Sequence, residues 1–246
     1  MADFSPEEVE RYARHLVLRE LGGPGQQRLK ASRVLIVGAG GLGAPAALYL
    51  AAAGVGVIGL ADPDTVALSN LQRQVLYGTD DIARAKVDTA ARRLHELNPH
   101  VQIEAHRVAV TSDNADSVVG GYDLVLDGTD DFATRFAVNA ACVAAGKPLV
   151  SGALGRWTGQ VGVFEGRPCY RCLVPLIPPD AETCSAVGVV GALAGVIGSM
   201  MALEAVKRLT GAGEALSGRL LIYDGLAAEA RTVRIGADPD CPVCAN

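Results

Sequence analysis

A glycine-rich turn lies between an apolar run and an alanine-rich segment near the start of the chain. In "VLIVGAGGLG", Gly38, Gly40 and Gly43 have G-x-G-x-x-G spacing, and Gly41 lies in the same turn. Such glycines let backbone N–H groups and a helix N-terminus face an anion. Asp62 ends the next apolar run, where a carboxylate can hold a ribose diol. The pattern predicts a nucleotide site without distinguishing ATP from NAD, and a turn that needs glycine only for packing is the alternative.

Cations and further carboxylates follow the turn. Asp64 comes two residues after Asp62, and Lys86 lies on the next predicted helix. The loop "SNLQRQ" supplies five polar residues expected near the nucleotide: Ser69, Asn70, Gln72, Arg73 and Gln74. Asp127, Asp130 and Asp131 leave the end of the fourth predicted strand, where parallel sheets place their ligands. Two cations and a carboxylate cluster favour a triphosphate with Mg²⁺ over NAD, although each cation alone could be a solvated surface charge.

The cysteines form two C-x-x-C pairs, Cys169 with Cys172 and Cys241 with Cys244. Four thiolates can surround a tetrahedral zinc ion and leave no position open for water, so the site would be structural. Iron in the same geometry and two disulfides are the alternatives. Cys142 lies in "NAACVAAG" and is expected to be a small core residue.

Cys184 is a second kind of thiol, because it precedes a predicted helix whose N-terminus would favour a thiolate. A catalytic thiol and an uninvolved residue both remain open. The four histidines are scattered and are interpreted as incidental: His15, His95, His100 and His106. The chain has no clear Ser-His-Asp arrangement.

Short Val, Ile and Leu runs alternate with alanine-rich helical stretches in the first half of the chain. This predicts an α/β fold, a Rossmann-like and mostly parallel sheet with helices on both faces. Antiparallel strands are expected to extend the sheet in the C-terminal half. We expect a single domain over residues 1–246, with a nucleotide-binding lobe of about 1–155 and a second lobe of about 156–246. A long helix that carries Lys86 is predicted to start near Thr79.

Composition restricts the class of partner and the compartment. The net charge of −5 argues against a general binder of nucleic acid or of membrane surfaces. The N-terminus has no apolar signal-peptide core, and Ser5 and Glu8 resemble a helix capping box, so a cytoplasmic protein is expected. The uncharged stretch from Ala186 to Leu203 is barely long enough to cross a bilayer, and a buried or subunit-interface helix is favoured for it.

Together, these motifs resemble the adenylating enzymes of the ubiquitin-activating superfamily, of the bacterial MoeB/ThiF type. The resemblance covers nearly the whole chain, in the order "RYARH", "VLIVGAGGLG", "SNLQRQ", "AK", "DGTDDFATR", "CYRC", "TC", "GVIGS" and "CPVC". It implies ATP-dependent adenylation of the C-terminal glycine of a small ubiquitin-fold sulfur-carrier protein that ends in Gly-Gly, with release of pyrophosphate. It also implies Mg²⁺, structural Zn²⁺, a carrier-binding C-terminal lobe, a homodimer and a separate sulfurtransferase.

The resemblance assigns roles to particular residues. Arg73 and Lys86 would contact the ATP phosphates, Asp62 the ribose and Asp130 the Mg²⁺, while Arg14 of "RYARH" would reach the nucleotide of the partner subunit. Asp131 is a departure, because relatives commonly have asparagine there. An added negative charge near the triphosphate would weaken binding unless a cation offsets it.

Rival functions and the carrier's pathway stay open at this point. An NAD(P)-dependent oxidoreductase and a nucleotide-binding scaffold without turnover are the alternatives. Members of the family that pass sulfur or form a thioester use a cysteine near the position of Cys184. Molybdenum-cofactor and thiamine synthesis are both compatible with the residues, the first slightly favoured.

Overall fold

Five parallel strands form the first part of a single sheet in the computed structural model, which describes residues 4–177 and 188–245. The strands are β1 (Arg33–Val37), β2 (Val57–Ala61), β3 (Gln102–His106), β4 (Leu124–Asp127) and β5 (Leu149–Leu154). Their order in the sheet is β3-β2-β1-β4-β5, so the order reverses at β1 and β4. Ligands of such sheets bind beyond the carboxyl ends of the strands at this reversal. The glycine turn follows β1, and the aspartate cluster follows β4.

Three antiparallel strands continue the sheet on the β5 side. They are β6 (Thr158–Phe164), β7 (Arg219–Asp224) and β8 (Glu229–Arg234), and the order β5-β6-β7-β8 makes β8 an edge strand. Burial alternates only over the first four residues of β6, and its last four residues, from Val161 to Phe164, are all buried. The predicted α/β class, with antiparallel strands in the C-terminal half, is confirmed.

Helices cover both faces of the sheet. They are α1 (Pro6–Arg11), α2 (Ala13–Leu16), α3 (Gly22–Ala31), α4 (Gly43–Ala52), α5 (Lys86–Leu97), α6 (Ala115–Val119), α7 (Phe132–Ala145), α8 (Tyr170–Leu173) and α9 (Gly191–Thr210). The capping box predicted for α1 is present: Glu8 N–H donates to Ser5 Oγ (3.2 Å), and Ser5 N–H donates to a Glu8 carboxylate oxygen (2.8 Å).

The core has two main parts, one on each face of the sheet. One packs α4 and α9 against residues such as Ile36 and Leu126, and the other packs α6 and α7 against residues such as Leu35 and Val125. α9 lies very close to β5, because a Cβ on Gly152 would be 2.3 Å from the Met201 sulfur. The buried apolar side chains of α9, such as Ile197 and Met201, therefore pack in the core of the protein. Within the described residues, no helix is both long enough and apolar enough to span a membrane.

Two helix boundaries differ from the sequence prediction. The helix predicted to start near Thr79 is a short 3₁₀ turn (Thr79–Asp81) followed by α5, which begins at Lys86. Ala83 adopts a positive φ of 70°, which interrupts the helix between them. The apolar stretch predicted from Ala186 is helical only from Gly191 within the described residues, since Gly188 has a φ of 76°. α9 then continues past Leu203 to Thr210.

Candidate active site

The glycine turn is shaped by contacts that leave no room for side chains. Gly38 has a φ of 88°, and a Cβ on Gly43 would be 1.9 Å from the Gly38 carbonyl oxygen. Residue 43 begins α4, so the turn directs the N-terminus of that helix toward the end of the sheet. The N-terminus carries unpaired N–H groups and a partial positive charge. The turn is therefore suited to receive an anion.

Asp62 is held directly against this turn. The carboxylate is 6% exposed, and one oxygen accepts from the N–H of Ala39 (2.8 Å) while the other accepts from the N–H of Asp64 (2.8 Å). The Tyr77 hydroxyl donates to the Ala39 carbonyl (2.7 Å), which fixes the turn from the other side. Each carboxylate oxygen retains a free acceptor position, which a ribose diol can use.

Lys86 reaches the same place from the first residue of α5. Its ammonium lies 2.7 Å from an Asp64 carboxylate oxygen and 3.8 Å from Asp62, and its side chain is only 6% exposed. The backbone positions it, because Lys86 N–H donates to the Asp64 carbonyl (3.0 Å) and Thr65 forms a β-bridge with Ala85. The break in the predicted helix thus brings Lys86 beside Asp62 and Asp64.

The "SNLQRQ" loop covers the opposite side of the turn. Asn70 O accepts from the N–H groups of both Arg73 and Gln74 (3.0 Å each), which closes the loop. Arg73 donates to the carbonyl of Ser69 (3.1 Å) and lies along Gly41, where a Cβ would be 3.5 Å from its side chain. Gln74 is 4% exposed, and its Oε1 has no hydrogen-bond partner among the described residues.

The loop after β4 brings the acidic residues to the cavity. Asp127 is buried, and its Oδ1 accepts from the N–H (3.0 Å) and the hydroxyl (2.7 Å) of Thr129. Asp130 is exposed and faces the cavity. Asp131 is the N-cap of α7, where its carboxylate accepts from Thr134 N–H (2.8 Å), and this hydrogen bond lowers the pKa of Asp131. The residue that departs from the family pattern therefore caps a helix.

All these groups surround one cavity of about 650 Å³. Eleven of the residues predicted from the sequence line it: Gly38, Gly40, Gly41, Asp62, Asp64, Asn70, Arg73, Gln74, Lys86, Asp130 and Asp131. Gly43 shapes the turn without lining the cavity, and Ser69 and Gln72 lie outside its lining, as does Arg14 on the exposed side of α2. Cys184 lies outside the described residues. None of the four histidines lines this cavity.

Two residues that sequence reasoning did not single out also line the cavity, Arg135 and Tyr170. Arg135 is 4% exposed and donates to the carbonyls of Thr129 and Gly152, the latter at 2.6 Å. Burial opposes the charge of this guanidinium, but the carboxylate of Asp127, the hydroxyl of Tyr170 and the carboxylate of Asp130 together outweigh that effect, and the pKa of Arg135 is raised. A lone charge in the otherwise apolar helix "FATRFAVNAACVAA" is the sequence signal that could have found it.

The four paired cysteines come together beside the C-terminal half of α7, where Asn139 contacts Cys169 and Val143 packs against the cluster. Their sulfur atoms all lie within 4.8 Å of one another, with Cys169 3.7 Å from Cys241 and Cys172 3.4 Å from Cys244. A tetrahedron with Zn–S bonds of about 2.3 Å has sulfur–sulfur distances of about 3.8 Å, so these thiols fit a structural zinc. Cys142 is buried outside the cluster, and burial raises its pKa to about 12, as expected of a core residue.

Fold and site together define a nucleotide-binding α/β protein. The ThiF family model matches residues 12–243. A sulfur carrier protein adenylyltransferase of Thermus thermophilus is 48% identical, over 99% of this chain and 93% of that protein. A probable adenylyltransferase/sulfurtransferase, MoeZ, of Mycobacterium tuberculosis is 49% identical, over 97% of this chain but 63% of that protein. The chain belongs to the ThiF family.

Solved structures agree on the fold. Escherichia coli MccB, in a crystal structure with MccA-N7isoASN, matches 99% of this chain and 76% of its own with a TM-score of 0.86, at 24% identity. PaaA matches 94% of this chain and 75% of its own with a TM-score of 0.81, at 26% identity. The Thermus and Mycobacterium relatives are named as adenylyltransferases, and adenylyl transfer from ATP is therefore the activity of this chain. They give no support to the oxidoreductase alternative.

Proposed function

We propose that this chain adenylates the C-terminal glycine carboxylate of a small ubiquitin-fold sulfur-carrier protein that ends in Gly-Gly, with release of pyrophosphate. The observation that carries the proposal is that Arg73, Lys86 and Asp130 line the same cavity as the glycine turn. Two cations and a carboxylate there match a magnesium-bound triphosphate. The name of the Thermus relative supports a sulfur carrier as the substrate.

In this proposal the glycine turn and Asp62 hold the nucleotide, with Asp62 on the ribose. Arg73 and Lys86 hold the phosphates, and Asp130 is a ligand of Mg²⁺. Magnesium, when bound, offsets negative charge on the phosphates and on the departing pyrophosphate. Asn70 and Gln74 complete the wall beside the phosphates, and the unpartnered Oε1 of buried Gln74 is free to accept from the ligand.

The chemistry requires no general base. A carboxylate is already ionised at neutral pH, so a glycine carboxylate oxygen can attack the α-phosphorus directly. The new P–O bond forms as the bond from the α-phosphorus to the bridging oxygen breaks, and that oxygen leaves with pyrophosphate. The enzyme must hold two anions, the glycine carboxylate and the triphosphate, close together, and it does so by positioning them and by supplying positive charge. This agrees with the absence of histidine from the cavity lining.

The carrier would approach from the C-terminal part of the sheet, and we propose that residues of about 156–246 form its binding lobe. The part of the cavity nearest this lobe has an apolar lining, against which a glycine tail could pack: Ala153, Leu154, Val174 and Val189. Trp157 and Leu226, which are 44% and 71% exposed, offer an apolar surface nearby. The carrier that is adenylated determines which pathway the protein serves, molybdenum cofactor or thiamine.

We further propose a homodimer and a separate sulfurtransferase. Arg14 is exposed on α2 and does not line the cavity of its own subunit, so its role at a nucleotide requires a second copy. The exposed side of α9 carries Val196 and Leu203, which are 37% and 58% exposed and suit a subunit contact. A sulfur nucleophile delivered by the sulfurtransferase would consume the acyl-adenylate. Free thiols at the five described cysteines favour the cytoplasm as the compartment.

The deciding experiment incubates the protein with Mg-ATP and candidate carriers that end in Gly-Gly, and follows each carrier by mass spectrometry. A carrier that gains the mass of one AMP is the substrate. Arg73→Ala, Lys86→Ala and Asp130→Ala should each slow ATP–pyrophosphate exchange by about 100- to 1000-fold. Arg107→Ala is the matched control, because Arg107 is exposed, pairs with Asp88 and does not line the cavity. Near-normal exchange in all three site variants would refute the proposed roles of these residues in adenylation.

A further inference from the structure

Thr129 precedes the proposed magnesium ligand Asp130 and is fixed at every backbone and side-chain polar group. Its N–H and hydroxyl donate to one oxygen of Asp127, at 3.0 and 2.7 Å, and its carbonyl accepts from the guanidinium of Arg135. Asp131 follows and is fixed as the cap of α7. The exposed carboxylate of Asp130 thus extends from a backbone that is held on both sides.

Burial of the charged Arg135 side chain is energetically unfavourable. It is 4% exposed, and it forms no ion pair with a carboxylate of the described residues. Its hydrogen bonds go instead to Thr129 O, Gly152 O (2.6 Å), Ser151 Oγ (3.3 Å) and the hydroxyl of Tyr170 (3.4 Å). A buried charge of this kind adds little to stability, because an apolar residue of similar volume is often as stable or more stable. The hydrogen bonds of Arg135 instead connect the Thr129 loop to β5.

Tyr170 connects Arg135 to the cysteine cluster. Its ring lies 5.7 Å from the Arg135 guanidinium, and its backbone N–H donates to Asn139 Oδ1 (2.8 Å). The amide nitrogen of buried Asn139 donates to the sulfur of Cys169 (3.5 Å), the residue just before Tyr170. One helix, α7, carries both Arg135 and Asn139, so the two contacts are one turn apart. The contacts of Asn139 with Cys169 and Tyr170 therefore join the cysteine cluster to the tyrosine against which Arg135 packs.

We propose that Arg135 is a positioning residue for adenylation, which sets the Asp130 carboxylate for Mg²⁺ through the carbonyl of Thr129, and that the cysteine cluster supports it through Tyr170. The inference rests on the proposed role of Asp130. It adds that the geometry of the magnesium site depends on a guanidinium behind the loop and on a structural metal beyond that guanidinium. Outer contacts that orient a metal ligand typically change metal affinity or activity by about 10- to 100-fold when they are removed.

The test measures the Mg²⁺ dependence of carrier-dependent ATP–pyrophosphate exchange in Arg135→Gln, Arg135→Lys and Tyr170→Phe, with Arg107→Gln as the charge-matched control, since Arg107 is exposed and lies outside the cavity lining. Affinity for AMP without added Mg²⁺, bound zinc per chain and thermal stability are measured on the same samples. Arg135→Gln should raise the half-saturating Mg²⁺ concentration by about 10- to 100-fold while AMP affinity and zinc content stay unchanged. Arg135→Lys should recover part of the loss, because its ammonium can still reach one carbonyl. Tyr170→Phe should give a smaller rise.

Two results would overturn the inference. One is a wild-type Mg²⁺ dependence in both Arg135→Lys and Tyr170→Phe, which remain informative if Arg135→Gln fails to fold. The other is a parallel loss of stability, AMP affinity and exchange, with the Mg²⁺ requirement unmoved, because that is the result of a purely structural role. Asp130→Asn is measured beside them: an unchanged Mg²⁺ requirement there refutes the role of Asp130 itself and leaves the Arg135 measurements to be judged separately.

Discussion

Asp131 offers a test that separates helix capping from charge. Its carboxylate accepts from Thr134 N–H (2.8 Å) at the start of α7. Replacing an N-cap by alanine costs about 0.5–2 kcal/mol, and for a chain of this length each kcal/mol lowers the melting temperature by about 2–4 °C. Asp131→Ala should therefore melt lower by about 1–8 °C. Asp131→Asn keeps an acceptor and should melt near wild type, since asparagine caps as well as aspartate.

The pH dependence of the Asp131→Ala difference follows from the lowered pKa of Asp131. The Thr134 N–H favours the ionised carboxylate, so the folded pKa lies below the ordinary value of 3.8. The extra stability is complete above that ordinary value and is lost as the pH falls through the lowered one. The gap between wild type and Asp131→Ala should thus be constant from neutral pH to about pH 5 and should shrink below pH 4.

Thermal denaturation followed by fluorescence, with Mg-ATP titration of the same samples, provides both readouts. Asp131→Asn should bind Mg-ATP more tightly by at most about fivefold, because a like charge near 4 Å in water is worth about 1 kcal/mol. Equal melting temperatures for wild type and Asp131→Ala, or equal losses in the alanine and asparagine variants, would refute the capping argument.

Two further predictions concern the metal and the dimer. Cys241→Ser should lose the bound zinc and melt at a lower temperature, whereas the control Cys142→Ala, which also changes a buried cysteine, should keep one zinc per chain. Metal analysis and thermal denaturation measure these two properties. Zinc retained by Cys241→Ser would contradict the four-thiolate site. Mixing equal amounts of inactive Arg14→Ala and Lys86→Ala should restore about a quarter of wild-type exchange, because about half of all dimers then contain one copy of each variant, and each of these has one intact site of its two. No recovery after demonstrated subunit exchange would contradict the role of Arg14 across the interface.

Much of the site was predictable because its signals are local. The turn at Gly38 needs glycine where a Cβ on Gly43 would collide with the backbone, and such a requirement is visible as a short motif. The four cysteines were recognisable for the same reason, since two pairs at fixed spacing report a metal knuckle. Strand runs followed from burial on both faces of the sheet.

What the sequence could not give depends on contacts between distant segments. The helix predicted from Thr79 breaks because residues 64–66 pair with residues 83–86, and that pairing has no local signature. In the sequence, Arg135 is only a single charge on a predicted helix. Its contacts with β5 and with the Thr129 loop are made by segments distant in sequence. The capping role of Asp131 could not be predicted, because an N-cap is identifiable only once the first residue of α7 is known, whereas the family resemblance places this position near the phosphates.

Under the proposed function, the ion pair between Lys86 and Asp64 favours the binding of polyvalent ligands in the cavity. An incoming molecule gains from the Lys86 ammonium only if it holds that ammonium better than Asp64 does at 2.7 Å. Asp64 is 63% exposed and can return to water cheaply, whereas Lys86 is 6% exposed and must always have a counter-ion. A triphosphate wins this competition, and a ligand with one phosphate charge gains little from it. Once pyrophosphate has gone, Asp64 can reclaim the lysine, so the same pair that admits ATP also loosens the hold on what remains.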